Sequence, residues 1–112
     1  MDRFDREAPG PLCSGAMTFE EFQALREDAE PPSNLPELLQ ALLYDASGDW
    51  DEAHRIVQGV PSPDGSWVHA YLHRKEGDLG NAAYWYTRSG RPSAKGSLES
   101  GWERIARFLL KE

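Results

Sequence analysis

An all-helical fold follows from three features of the sequence. Apolar residues recur at three- and four-residue spacing along most of the chain, and glycine, proline or a capping residue punctuates those runs. One pattern of small residues around a Gly-Asp turn also occurs twice, 29 residues apart. Together they predict a compact bundle of two tandem helical hairpins, at 35–60 and 66–90, flanked by an N-terminal helix and a C-terminal capping helix at 97–111.

At 112 residues the chain has the size of one domain, since either half alone would bury too little apolar surface to be stable. Residues 1–17 mix charges with Pro9, Gly10, Pro11, Ser14 and Gly15 and show no apolar period, which predicts an irregular N-terminal arm; residues 18–112 form the helical domain. Thr18-Phe19-Glu20-Glu21 has the form of a capping box, and Phe19, Phe22, Leu25 and Ala29 then share one face, predicting a helix over about 18–29 that Pro31 and Pro32 end.

Asn34-Leu35-Pro36-Glu37 repeats the capping logic, with proline tolerated in a first turn. Leu35, Leu38, Leu39, Leu42 and Leu43 form the apolar stripe of the helix that follows, which closes near Gly48. Beyond the Gly48-Asp49 turn, Trp50, Ala53, Ile56, Val57 and Val60 recur at helical spacing until Pro61 and Pro63. The plan then returns: Ala41, Leu43, Gly48, Asp49, Ala53 and Pro63 recur as Ala70, Leu72, Gly77, Asp78, Ala82 and Pro92. The second copy is expected from Ser66 to about Ser89, with Leu79, Ala82, Ala83, Trp85 and Tyr86 on the packed side of its second helix. Leu98, Trp102, Ile105, Ala106 and Leu109 mark the buried side of the last helix, which reads as a cap on one end of the bundle, the 18–29 helix serving the other.

The order of Ala41, Gly48, Asp49, Ala53 and Val57, then Ala70, Gly77, Asp78, Ala82 and Tyr86, is similar to that of the tetratricopeptide repeat. The stretch from Asn81 to Gly90 resembles the second helix of a Sel1-like repeat, where a Trp-Tyr pair follows alanine. The resemblance covers residues 35–93. It implies helix-turn-helix stacking and protein–protein interaction rather than catalysis. The period here is 29 rather than 34, which favours a closed bundle over an extended array. Aligning the alanines with the repeat places Glu37, Gln40, Ala41 and Tyr44, then Ser66, His69, Ala70 and His73, at the interhelical contact; these are mostly polar and the leucines lie beside them, so either the hairpins are rotated relative to the family or a polar strip runs into the packed region.

Composition excludes several classes. A net charge of −7 opposes nucleic-acid binding, which draws its affinity from cations neutralising phosphates. No apolar run approaches the roughly 20 residues that cross a bilayer, and a lone cysteine, Cys13, rules out an intrachain disulfide framework; a cytoplasmic protein is expected. The charge is uneven: residues 1–33 hold eight acids and three bases, whereas residues 88–111 hold six bases and two acids. This asymmetry can dock the N-terminal arm on the C-terminal helix or pair two chains head to tail, or it can simply mark two solvated faces.

His69, His73 and Glu76 fall at i, i+4 and i+7, on one side of a helix. Two imidazoles and a carboxylate so spaced can hold a divalent transition metal. They can equally fill the helix interface, hydrogen-bonded to Tyr44, Gln40 or a backbone carbonyl; His54, on the intervening helix, can reach the same strip. Asp45, Asp49, Asp51 and Glu52 around the first turn are expected to cap helices rather than bind calcium, since Trp50 interrupts the ligand alternation of a calcium loop. Trp67, Trp85 and Tyr84 belong to an aromatic surplus suited to an interface, with Tyr84 displaced from the packed face. No nucleophile motif, phosphate loop or dinucleotide fingerprint occurs, so enzymatic activity has little support and no organic cofactor is implied. The expected function is a protein-interaction module, self-association included. The alternative is a small metal- or ligand-binding protein centred on His69, His73 and Glu76.

Overall fold

The computed structural model describes residues 17–28 and 30–111. Cys13 and, but for Met17, the arm expected over 1–17 lie outside them. Six α-helices and no strand occur among the described residues: α1 Phe19–Ala24, α2 Glu37–Ala46, α3 Trp50–Gln58, α4 Pro63–Glu76, α5 Leu79–Ser89 and α6 Leu98–Leu110. The all-α class read from the sequence is therefore the class observed.

Both hairpins obey the repeat. Gly48 and Gly77 each close a helix at positive φ (95° and 90°), a conformation that costs a side chain but not glycine. Asp49 and Asp78 each cap the next helix, accepting from the backbone N–H groups of Glu52 and Asn81. Ala41, Ala53, Ala70 and Ala82 are all buried, so α2 meets α3, and α4 meets α5, at close range. Only the prolines part company: Pro63 begins α4, whereas Pro92 follows α5.

Several boundaries differ from expectation, each for a local reason. The capping box forms, with Thr18 Oγ1 accepting from Glu21 N at 3.1 Å and Glu21 Oε1 from Thr18 N at 2.9 Å. The helix it starts nevertheless tightens into a 3₁₀ turn at Leu25–Glu27 and stops at Asp28, whose extended backbone cannot continue it; Ala29 lies outside the described residues. Asn34 does not cap α2: Leu35 N bonds Pro32 O, and Pro36 takes the cap position. Helix α4 starts at Pro63, earlier than the Ser66 expected, because Ser62 caps it by accepting from Gly65 N and proline suits the first turn. Val60 lies beyond the end of α3.

Helix α4 is the hub. It packs against α2, α3, α5 and α6, and every residue from Gly65 to His73 is buried, polar ones included. Helix α6 does not cap one end with α1 at the other; the two pack together. Trp102 stacks on Phe22 (5.4 Å), meets Phe19 edge-on (6.0 Å) and donates its indole N–H to the Leu42 carbonyl at 3.0 Å. The ion pairs Arg26–Glu99 (3.0 Å) and Arg107–Glu20 (3.7 Å) join the same regions, one of them with the polarity the charge asymmetry predicts. Leu110 rather than Leu109 is the buried leucine of the last turn.

Three further residues depart from expectation. Leu79 and Ala83 are exposed, because α5 packs against α4 alone and turns that side outward. Asp45 is no capping acid; it is buried to 1% exposure and paired with Lys75 at 3.0 Å, linking α2 to α4. Burial pushes its carboxyl pKa up in spite of that lysine.

Candidate metal centre

The polar strip foreseen between the hairpins exists on the α4 side, where Ser66, His69 and His73 are all buried. Its counterparts on α2 are less enclosed: Glu37 is exposed, and Gln40 and Tyr44 are half-buried. Neither Gln40 nor Tyr44 bonds the histidines. Gln40 turns instead to the carbonyls of Leu35 and Ser33.

What closes on the strip is α3. His54 faces His69 with the two Nε2 atoms 2.9 Å apart, and its ring also meets that of His73 edge-on at 5.2 Å. Two protonated nitrogens cannot share so short a contact, so one Nε2 carries a hydrogen and donates while the other accepts. Ring nitrogens of His54, His69 and His73 all lie within 4.8 Å of one another. The chain has three histidines, and all three converge here.

Tryptophans fix the rings from both sides. Trp50 donates its indole N–H to the Leu72 carbonyl at 2.8 Å, which locks it across α4, and stacks on His54 at 4.7 Å. Trp85, from α5, lies flat on His69 at 3.8 Å. The cluster is thus assembled from α3, α4 and α5, with indoles excluding water from two faces.

Burial disfavours charge on the His54 and His69 imidazoles. The His69 pKa falls from 6.5 to about 4, through desolvation first and then the neighbouring His54 and His73. His54 is shifted down for the same two reasons, desolvation leading, in spite of opposing pulls from Glu76 and Asp51. Neutral imidazoles are the form that binds a metal.

Glu76 takes a different place from the one expected. It is not a member of the tight three-histidine group; its Oε1 sits 2.6 Å from His73 Nδ1. A carboxylate accepting the Nδ1 hydrogen fixes the tautomer and leaves the Nε2 lone pair free, the arrangement that commonly orients a metal-ligating histidine. His73, Glu76 and Asp78 form a second close group, but Asp78 already caps α5 and both acids are solvent-exposed.

The other residues singled out in the sequence divide between surface and core. Tyr84 is 54% exposed, as its displacement from the packed face predicts. Trp67 is buried, wedged beneath the Arg91 guanidinium (4.0 Å) and edge-on to Phe108, so it is a packing residue and not a surface contact. Sequence reasoning overlooked Trp50, although its i, i+4 relation to His54 was a usable signal. It also overlooked Arg88. With His69, Trp85 and Ser66, Arg88 lines a cleft of about 460 Å³ between the end of α3 and the start of α4.

No described helix is long and apolar enough to cross a membrane. No protein-family model, curated protein or solved structure matches the chain.

Proposed function

We propose that this protein binds a divalent transition metal through His54, His69 and His73. The observation that carries the reading is the convergence of all three histidines of the chain on one half-enclosed point, each from a rigid helix. Ligand nitrogens around tetrahedral zinc sit roughly 3.3 Å apart, given metal–nitrogen bonds of about 2.0–2.1 Å. The cluster brackets that spacing, with the His54 and His69 Nε2 atoms 2.9 Å apart and all three ring nitrogens within 4.8 Å. An all-imidazole set suits zinc, copper, nickel or cobalt and does not suit calcium or magnesium, which demand oxygen. Three protein ligands leave a fourth position for water or another ligand. His69 also walls the cleft that Arg88 and Ser66 line, which offers such a ligand a way in.

The test uses untagged protein stripped of metal and titrated with cobalt(II). The expected result is one equivalent bound, with the intense visible absorption of a tetrahedral centre, retained in Cys13→Ser and abolished in His54→Ala. No stoichiometric binding, or binding that His54→Ala leaves intact, would sink the proposal.

A second reading, a surface for self-association, is favoured by α5. That helix packs against α4 alone and exposes Leu79, Ala83 and Tyr84, apolar or aromatic side chains that a neighbouring hairpin would cover in an extended stack. A second copy of the chain is the occupant proposed. Sedimentation should then reveal a dimer that Leu79→Lys dissociates, and a monomer at high concentration would end this reading.

A further inference from the structure

A second cavity, of about 620 Å³, opens on the far side of α4, between α5, the 91–97 segment and α6. Its floor is apolar and aromatic, formed by the buried Trp67, Tyr71, Tyr86 and Ile105, and its rim carries Arg91, Lys95 and Arg104. No acidic residue lines it, although the chain as a whole is acidic.

Two of the three rim cations are not consumed by neighbours. Arg91 pairs with Asp64 at 3.1 Å, but Lys95 and Arg104 form no ion pair among the described residues. The two acids of α6 are already engaged, Glu99 by Arg26 and Glu103 by Arg107.

A separate observation points the same way. Arg74 donates from Nη2 to the Gly96 carbonyl, while its Nη1 is buried without any acceptor. Asp45 Oδ2 is the only other side-chain atom in that condition among the described residues. A buried, charged donor left unpaired is costly, and in folded proteins such a group usually has a water or ligand as its acceptor. Nη1 lies behind Gly101, 3.5 Å from where a Cβ would stand, and Gly101 lines the cavity.

From these features we infer that the cleft binds a small planar molecule bearing a carboxylate or phosphate. The aromatic floor takes the ring, and Lys95 and Arg104 on the rim take the anion. A cavity of this size holds one such molecule, largely enclosed and with few polar groups to orient it. This site shares no residue with the histidine cluster, so it stands or falls independently of metal binding.

The test is an amide NMR titration of the full chain with 1-naphthyl phosphate and 1-naphthoate as probes. The expected result is saturable shifts confined to the Arg91–Lys95 and Gly101–Ile105 amides and the Trp67 indole, from at least one of the two anions. Lys95→Ala combined with Arg104→Ala removes exposed side chains only, and should weaken that binding at least tenfold while the rest of the spectrum is preserved. Equal response to neutral 1-naphthol would overturn the inference, as would shifts scattered over the surface or unchanged affinity in the double variant. A response to an acidic peptide without one to either naphthyl anion would also overturn it, and would assign the cleft to a protein partner.

Discussion

Positions 40 and 44 in the first hairpin hold Gln and Tyr; 29 residues later the same positions hold His69 and His73. Around them the two hairpins match closely, with the same turn glycines at positive φ, the same capping aspartates and the same buried alanines and leucine. The α2 pair is half-open to solvent and Gln40 satisfies itself on local carbonyls. The α4 pair is buried and meets a third histidine. Context makes this difference: α4 is covered by α3 of the preceding hairpin, whereas among the described residues no earlier hairpin covers α2. A repeated frame therefore yields one enclosed polar site, at the junction where the copies meet.

The strongest test of frame equivalence is the matched pair Leu43→Ala and Leu72→Ala. Both leucines are buried, so each substitution should cost about 2–5 kcal/mol, and chemical denaturation should find the two within about 1 kcal/mol of each other. A much smaller loss at Leu43 would show that only the second hairpin carries the fold.

Next in size is the pH response that His69 gives the second hairpin. The folded His69 pKa of about 4 lies below its ordinary 6.5, so between those values the unfolded chain takes up a proton that the folded chain refuses. Stability should be complete above about pH 6.5 and decline toward pH 4, by up to about 3 kcal/mol. Installing the first hairpin's residues, His69→Gln with His73→Tyr, should remove most of that decline and all of the cobalt response. Circular dichroism at pH 7 would confirm that the helices persist. A wild-type stability flat across this window would refute the assignment of a neutral, buried imidazole.

Turn chemistry gives a smaller effect that should be equal in both copies. Gly48→Ala and Gly77→Ala each force a side chain into left-handed backbone and should each cost about 1 kcal/mol, read as a shift in the denaturation midpoint. Smallest of all, Tyr84→Ser removes an exposed ring and should move stability by less than about 0.5 kcal/mol. If self-association runs through α5, the same variant should still change the concentration dependence of sedimentation.

The repeat was legible because its signals are local: glycine closing a helix, aspartate opening the next, alanine where backbones approach. The polar strip was legible only as one of two alternatives: aligning the copies placed Ser66, His69 and His73 at a helix contact but did not fix how the hairpins are rotated. What failed depended on contacts distant in sequence. Nothing near Asp45 announces that Lys75 will arrive to pair with it, and nothing near Trp102 reveals that its indole will seek the Leu42 carbonyl, 60 residues back. The rotation of α3 decides whether His54 or Glu76 completes the cluster. Periodicity fixes which residues share a face but not which neighbour that face meets.

Among the helices α5 packs only on α4, yet it supplies the Trp85 indole that lies over His69. A helix with a single packing partner is the segment expected to open first by local unfolding, well below the free energy of global unfolding. If the histidines hold a metal, the rate at which the ion leaves is then set by how often this one helix lifts, not by the strength of the nitrogen bonds alone. Residence time and affinity become separately adjustable: the first through the α4–α5 packing, the second through the ligands.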